Sequence, residues 1–522
     1  MNQSSHSKIG LAALIMMASI FLSRVTALFR EMAIATIAGA DAAVDAYRLA
    51  FILPEILNHI LASGFLSVTF IPIFARYLSR EDEEGGWEIF STILTIFGLL
   101  LLFLVAGAML FAPHIVPLLA PGRDDPQFVA LAVHMTRITL PAQLCFFAGG
   151  MLMAVQFAKK RFLIPALAPI VYNLGIIVAG LLLSPRIGVQ GFAWGALIGA
   201  MVGNFIIQVW GARKAGMRYR PNWAWGHPDL RRYVLLTLPL MLGLTMVFST
   251  EIFSKFFGSF LPAGAIAWID YAMRIMMLLV AFFGQAIGVA SFPEMARLAA
   301  EQRLAELNRL FNRALRYLAL VLPVSVWVLI VRHEIVRLLF ERGKFSGHDT
   351  GMTALALASL LPGAVAFAAQ TVVNRGFYAL QNTLLPAIYA TLAVCLSLPL
   401  YWIGVKAFGV PGIGVAISVS ALIQAWVLFA VWNRRSGNAG AGAVYRTYLK
   451  TAAASVPMAA IMWYLHGLLR QGIDNTHVIG AAGIIVVMAS VFALLMAIWG
   501  WLFKVEVLHH LISRLVKRPG KP

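Results

Sequence analysis

Apolar runs long enough to cross a bilayer follow one another through almost the whole of this chain. Fourteen can be marked, at roughly 9–38, 43–75, 89–112, 128–157, 163–184, 189–211, 232–258, 264–295, 311–331, 352–380, 384–405, 410–432, 448–468 and 477–503. At about 1.5 Å per residue each can span the ~30 Å of hydrocarbon in a membrane. Lipid offers no hydrogen bonds, so every backbone N–H and C=O must be satisfied within its own segment, which makes these segments helices. The polar stretches between them have loop length and hold no soluble domain. The expected fold class is an all-α polytopic membrane protein with 14 transmembrane helices. Lys8 ahead of the run Ile9–Leu22 could suggest a secretory signal. Arg24 and Arg30 follow without a small-residue cleavage site, so the run reads as an uncleaved first span.

Composition agrees. Of 522 residues, 12% are charged and 61% hydrophobic, with mean hydropathy +0.83. The net charge of +19 would suggest a nucleic-acid partner in a soluble protein. Here it follows the positive-inside rule, and no nucleic acid is expected. Basic residues collect at Arg76/Arg80, Lys159–Arg161, Arg213–Arg232, Arg297–Arg316 and Arg434–Lys450, while the alternate loops carry Arg123, Arg186, Lys406 and Arg470 singly. Both termini are therefore expected in the cytoplasm. The loop 332–349 runs against the trend, with Arg332, Arg337, Arg342 and Lys344 partly offset by Glu334, Glu341 and Asp349, and is expected to be an interfacial helix. Cys145 and Cys395 lie in apolar segments and read as packing residues, with no disulfide framework or metal spacing.

The chain also repeats. Pro72-Ile-Phe-Ala-Arg76 matches Pro293-Glu-Met-Ala-Arg297, Phe157-Ala158 matches Tyr378-Ala379, and Gly188-Val189-x-Gly191 matches Gly409-Val410-x-Gly412, all at an offset of 221. Six spans separate the copies, so both share one orientation, as in transporters built from parallel repeats. The expected organisation is an N-lobe of helices 1–6 over 1–221, a C-lobe of helices 7–12 over 222–442, and helices 13–14 with a basic tail over 443–522.

Arg24, Arg30, Arg48 and Arg274 lie inside apolar segments. An intramembrane arginine costs about 2.5–3.5 kcal/mol on insertion scales and so faces a wet cavity or a partner. Its charge is permanent, which excludes proton carrying and favours an anionic cargo, and its planar fork suits phosphate oxygens. Arg24 and Arg30 are about 120° apart on one helix. The bland alternative is local ion pairing: Asp45 with Arg48, Asp270 with Arg274 and Glu251 with Lys255 have helical spacing. For Arg30 the only nearby acid is Glu31, adjacent and at an unfavourable angle. Prolines at 54, 72, 141, 165, 239, 293, 323, 362 and 386 favour kinks around a cavity. Gly191, Gly195, Gly199, Gly284 and Gly288 read as close-packing positions. Enzyme motifs are lacking, and Asp124-Asp125 reads as a solvated turn.

Ser23-Arg24, Phe29-Arg30-Glu31, Gly39-Ala40 and Asp45-Ala46-Tyr47, then Leu53-Pro54 to Gly64 and Phe70-Ile71-Pro72, together with Phe377–Thr383, resemble the MurJ (MviN) lipid II flippases. These belong to the multidrug/oligosaccharidyl-lipid/polysaccharide exporter superfamily. The resemblance covers essentially the whole chain. It implies a transporter, with no catalytic residues and no cofactor, that moves undecaprenyl-pyrophosphate-linked disaccharide pentapeptide across the bacterial inner membrane to the periplasmic leaflet. It implies that Arg24, Arg30 and Arg274 engage the pyrophosphate, that Asp45 is the family's first-loop acid, and that helices 13 and 14 hold the lipid tail. Asn58-His59 stand where the family has two arginines, Ile52 where it has a lysine with Arg48 one turn earlier, and Met277 where it often has an acid. The imidazole of His59 can carry partial charge near a phosphate. The substrate-binding set is then Arg24, Arg30, Asp45, Arg48, Asn58, His59 and Arg274. The sodium site of some members needs acids in spans 7 and 11, and span 11 has none. Membrane potential, about 2.3 kcal/mol per charge per 100 mV, or an ion gradient is the expected drive. Lipid II, the bilayer and cell-wall synthesis proteins are the expected partners.

Three rivals stand beside this reading. One is a flippase for another polyprenyl-linked glycan, of exopolysaccharide or O-antigen type. A drug or cation exporter would want intramembrane carboxylates, and an enzyme acting on polyprenyl phosphates would want clustered acids for a metal.

Overall fold

The computed structural model describes residues 3–59, 69–245, 249–473 and 477–502. Among them every regular element is helical. Eleven helices are long and apolar enough to cross a membrane. They fall on the expected segments from 89–112 to 189–211 and from 264–295 to 477–503. The segments expected at 43–75 and 232–258 run through 60–68 and 246–248, which lie outside the described residues. The first segment lies in a 36-residue helix, α1 (Gln3–Ala38). Large apolar side chains on these helices point outward, among them Phe21, Phe103, Leu182, Leu396, Trp463 and Ile479, each at least 70% exposed. A water-soluble protein does not show such a surface. The chain is a multi-pass membrane protein.

It packs as two compact units, Met1–Ala267 with Gly343–Phe345, and Trp268–Arg342 with Ser346–Pro522. In the first unit α1 is followed by α2 (Ala42–Leu49), α3 (Ile52–Leu57), α4 (Ile71–Ser79), α5 (Glu83–Leu119), α6 (Pro126–Thr139), α7 (Ala142–Ala158), α8 (Leu163–Ile187) and α9 (Gln190–Gly199). A π-helical stretch, Ala200–Ile206, then leads into α10 (Ile207–Lys214), α11 (Pro228–Thr245) and α12 (Ser249–Gly258). Phe70, Phe74, Trp87, Phe90, Phe147 and Tyr233 form its aromatic core. Helices α8 and α9 touch backbone to backbone: a Cβ at Gly195 would lie 2.8 Å from the Cα of Ile176, and one at Gly199 2.6 Å from the oxygen of Tyr172. The close-packing reading of these glycines holds.

In the second unit α13 (Ala265–Leu279), whose first turn belongs to the first unit, loosens into a π-helical stretch at Val280–Gln285 before α14 (Ala286–Ala300). Then come α15 (Leu304–Leu318), α16 (Val321–Ile330), α17 (Arg332–Phe340), α18 (Gly347–Ala379), α19 (Leu384–Phe408), α20 (Val410–Ser436), α21 (Ala441–Gly472) and α22 (Val478–Leu502). The expected helix in the loop 332–349 is α17, and it is packed rather than laid on a surface. Val336 and Phe340 are fully buried, and so is Glu334. Arg470 donates to Glu334 at 2.9 Å, and His466 lies 3.1 Å from the same oxygen. Burial would raise the Glu334 carboxyl, but His466 and Arg470 outweigh it and hold it down at about 2. Both cysteines are free thiols. Cys145 is half-buried and Cys395 is exposed, so only the first packs as expected.

The repeat seen in sequence recurs in backbone conformation. Left-handed residues come in pairs 221 apart: Glu81 with Gln302, Lys160 with Gln381, Gly188 with Gly409 and Gly216 with Gly437. The first two pairs close helices identically. Asp82 N–H bonds the oxygen of Tyr77 at 3.1 Å and Arg303 N–H that of Leu298 at 2.9 Å, while Arg161 bonds Gln156 at 2.8 Å and Asn382 bonds Phe377 at 3.0 Å. These are Schellman closures, in which a left-handed residue lets the chain satisfy the last orphan carbonyls. Helices α8 and α19 begin and end at the same offset, and so do the N-caps Asp125 and Ser346.

Gly188 (φ 63°, ψ −146°) and Gly409 (φ 62°, ψ −130°) occupy a corner that side chains with a Cβ avoid. Gly188→Ala and Gly409→Ala are each expected to cost about 1–3 kcal/mol, read as a lowered thermal midpoint of the purified chain in detergent. No atom lies within 4 Å of the Cβ added at Gly188, so the loss there is backbone strain alone. Gly347→Ala, where space is equally open and φ is ordinary, should leave the midpoint unmoved. Equal midpoints for all three variants would contradict the assignment.

Candidate functional site

Helix α1 carries Arg24, Arg30 and Glu31, and the chain turns at Gly39 (φ +74°) into α2, which carries Asp45 and Arg48. Asp41 caps α2 by accepting from Val44 N–H at 3.0 Å. This hairpin-like turn brings Arg48 back to Glu31. One Glu31 oxygen takes Arg30 at 2.6 Å and the other takes Arg48 at 2.5 Å. Arg30 also donates to Asn173 Oδ1 at 3.0 Å on α8, and Asn173 in turn donates to the oxygens of Pro169 and Ser23. The side chains of Glu31 and Arg48 are 2% and 5% exposed, that of Arg30 16%.

The unfavourable angle expected between Arg30 and Glu31 is overcome, and the local Asp45–Arg48 pair weighed as the alternative does not form. Adjacent residues do not share a helix face, yet the long flexible stem of Arg30 folds its guanidinium back onto Glu31. Arg48 does not pair with Asp45 either, because Asp45 points elsewhere. Arg24 is exposed, and no hydrogen bond or ion pair to it is found among the described residues. Three guanidinium groups against one carboxylate leave these four side chains a formal +2.

Asp45 is fully buried. Its carboxylate accepts the backbone N–H groups of Gly264 and Ala267, both at 2.8 Å, and Arg123 at 3.1 Å. Those two N–H groups open α13, so Asp45 satisfies orphan donors at a helix start, where negative charge is favoured. Arg123, read in sequence only as a lone loop cation, also sits 5.6 Å from the Phe128 ring. Asn58 and His59 wind as a wider turn at the end of α3. His59 Nδ1 is 2.6 Å from the oxygen of Glu55. Asn58 lines a cavity of about 120 Å³ with Phe51, Glu55, Thr139, Ala142, Gln143, Phe146, Tyr172 and Ala196.

In the second unit Arg274 pairs with Asp270 at 3.2 Å, four residues back, with the arginine side chain 38% exposed. Lys255 pairs with Glu251 at 2.9 Å in the same way, in the first unit. Both local pairings match their spacing. Sequence reasoning missed Arg375. It lies in the last turns of α18, half-buried, and donates to Gln285 Oε1 at 2.9 Å. Gly288 makes room for it, since a Cβ there would lie 2.1 Å from its guanidinium. The rule that drew attention to the other arginines, charge inside an apolar run, would have found it. The missed members Glu31, Asn173, Arg123 and Arg375 share one trait: long-range contacts define them.

A family model described as lipid II flippase MurJ matches residues 34–497. A lipid II flippase MurJ of Burkholderia cenocepacia is 27% identical over 449 residues, covering 84% of this chain and 87% of that protein. A probable lipid II flippase MurJ of Rhizobium meliloti is 30% identical over 434 residues, covering 80% and 79%. A solved structure of lipid II flippase MurJ in an inward closed conformation superposes with TM-score 0.77 at 22% identity, covering 93% of this chain and 99% of that one. An inward-facing multidrug MATE transporter shares the fold more loosely, with TM-score 0.65 at 16% identity over 81% of this chain and 96% of that one. With nearly the whole spanning region matched, this chain belongs to the lipid II flippase MurJ family.

Proposed function

We propose that this chain flips lipid II from the cytoplasmic to the periplasmic leaflet by alternating access, breaking no bond. The observation that carries this is the arginine set of α1 and α2 in a chain of this family. Arg30 and Arg48 share the carboxylate of Glu31, and Arg24 stands less than two turns away on α1, so these four side chains carry a formal +2 within an apolar segment. A polyprenyl diphosphate ester brings two negative charges and the planar oxygen pattern that guanidinium groups bind best. Arg24 is the first contact and Arg30 the second, through the donors that Glu31 and Asn173 leave; Arg274, paired with Asp270, is a separate candidate within the second unit. Arg48 and Asp45 hold the frame. Fold relatives seen inward-closed and inward-facing support a rocking mechanism.

Several finer features belong to the same proposal: fourteen spans, two six-helix lobes over 1–221 and 222–442, an added pair of helices over 443–522, both termini in the cytoplasm and residence in the bacterial inner membrane. The paired left-handed residues at offset 221 support the repeat, and the basic loops support the orientation. Membrane potential, negative inside, favours outward movement of a net anion, and an ion gradient is the other source of drive. Cell-wall synthesis proteins are the natural neighbours of such a flippase. A second reading, a flippase for a related polyprenyl-linked glycan, is favoured by Asn58-His59 standing where the resemblance has two arginines.

Expression of this chain should rescue cells depleted of their lipid II flippase. In those cells Arg24→Ala, Arg30→Ala and Arg274→Ala should each cut lipid II exposure at the outer leaflet by about tenfold or more, the loss of one charged hydrogen-bonding group. Rescue failure with normal membrane insertion would favour the second reading, and undiminished flipping in all three variants would remove the arginine role.

Glu31→Ala strands two buried cations. It is expected to cost about 3–5 kcal/mol, seen as loss of folded protein in detergent, whereas Arg24→Ala should leave the thermal midpoint within a degree or so of the parent, as surface substitutions do. A stable Glu31→Ala protein would contradict the network.

A further inference from the structure

The loop 332–349 departs from the charge pattern of the other loops, and one corner of the second unit holds two of the cations responsible for positive charge there. At this corner α16 ends at Ile330, α17 begins at Arg332, α21 ends at Gly472 and α22 begins at Val478. Further along α17, Arg337 pairs with Glu341 at 2.8 Å. Arg332 has no such acid. Among the described residues its one hydrogen bond runs from Nη1 to the oxygen of Leu329 at 2.6 Å, and its buried Nε has no partner. Arg470 gives Nε to Glu334 at 2.9 Å, and among the described residues the forked end of its half-exposed guanidinium has no partner. Burial lowers Arg332, Glu334 raises it and Arg470 lowers it further, so the two guanidinium groups are near enough to repel. The indole Nε1 of Trp327, five residues before Arg332, is also buried without a partner. Buried N–H donors in that state are rare, because they have given up water for nothing. His333 is pushed down to about 4 by burial first and then by Arg332 and Arg470, so it adds no charge near neutrality. Against the one carboxylate of Glu334, Arg332 and Arg470 leave a formal +1 before any charge on His466 is counted.

We propose that this corner binds the phosphodiester headgroup of an anionic phospholipid resident in the surrounding leaflet. A phosphodiester carries one negative charge and several acceptor oxygens, which answers one net positive charge and a set of unpaired N–H donors. The neighbouring surface selects a lipid over a free anion. Trp463, Tyr464 and Leu468 on α21 and Ile479 on α22 point outward, at 73%, 65%, 48% and 86% exposed. Acyl chains can lie on that face while the headgroup stays at the helix ends, as in other basic pockets between membrane helices. Glu334 holds α17 to α21 from within, and the headgroup would bridge Arg332 and Arg470 from the solvent side. The site gives this loop a reason to keep arginines that its neighbours on the same side lack. It lies wholly in the second unit, shares no residue with the arginine network of α1 and α2, and does not rest on the lipid II reading.

The test is the thermal midpoint of the purified full-length chain in detergent, titrated with dioleoyl phosphatidylglycerol, dioleoyl phosphatidylethanolamine or inorganic phosphate. A ligand of the folded state raises the midpoint. Phosphatidylglycerol should do so saturably, with half-saturation at least about tenfold below that of the zwitterionic lipid, and inorganic phosphate at equal concentration should neither reproduce the rise nor reverse it. Arg332→Gln should weaken the response to phosphatidylglycerol by about tenfold or more, and Trp327→Phe by about threefold or more, the loss of one neutral hydrogen bond. Arg446→Gln, exposed at the opposite end of α21, should leave it unchanged. Trp327→Phe keeps an aromatic ring and removes the N–H, so it carries the comparison if Arg332→Gln does not fold. No saturable rise, equal responses to the two phospholipids, or a rise reproduced by inorganic phosphate would overturn the proposal. So would a phosphatidylglycerol response indifferent to Arg332 and Trp327.

Discussion

The carboxylate of Glu31 lies between two guanidinium groups, 2.6 Å from Arg30 and 2.5 Å from Arg48, with all three side chains largely out of water. Each of these charges alone would be expensive in an apolar segment. Together they form a unit in which one anion tethers two cations, and the third arginine of the set, Arg24, stays exposed. The arrangement decides how much positive charge the α1–α2 turn presents and from which side chains. A second acid beside Glu31 would halve the formal charge of the set, from +2 to +1. Without Glu31, three like charges would repel one another and α2 would lose its anchor to α1.

The same logic separates roles that composition alone would merge. Asp45 is an intramembrane acid close in sequence to Arg48, but its oxygens are taken by the N–H groups of Gly264 and Ala267 and by Arg123. It works as a helix-start acceptor. Glu55, another acid of the same region, lines a cavity with an unpartnered amide oxygen across from it. Glu334, fully buried, anchors α17 through Arg470. Four carboxylates thus do four different jobs: neutralising a guanidinium pair, accepting helix N–H groups, lining a polar cavity and pinning a short helix. The difference lies in what each one faces.

Much of the fold was legible from sequence because bilayer physics is strict. Long apolar runs must be helices, and the described helices fall where those runs lie. The 221-residue repeat was legible from three short matches, and it returns in backbone torsions at residues as unlike as Glu81 and Gln302 or Lys160 and Gln381, where a shared helix ending matters more than the side chain. The site was legible only in part. Arg24, Arg30, Arg48 and Arg274 stood out by cost. The partner of Arg48 did not, because Glu31 is 17 residues away and the intervening turn at Gly39 sets the geometry. Helical spacing predicts i,i+4 pairs well, as at Asp270–Arg274 and Glu251–Lys255, and fails wherever a turn brings a better partner. Asp45 and Arg123 meet across 78 residues, which no local rule reaches.

In the proposed function, exposed, permanent positive charge on α1 recognises a diphosphate. Native mass spectrometry of the purified chain with undecaprenyl pyrophosphate and undecaprenyl monophosphate, side by side, tests this directly. The parent chain should hold the diphosphate at least about tenfold more tightly, and Arg24→Ala should shrink that preference while leaving monophosphate binding nearly unchanged. Equal binding of the two lipids, or a preference that survives replacement of both Arg24 and Arg30, would contradict it.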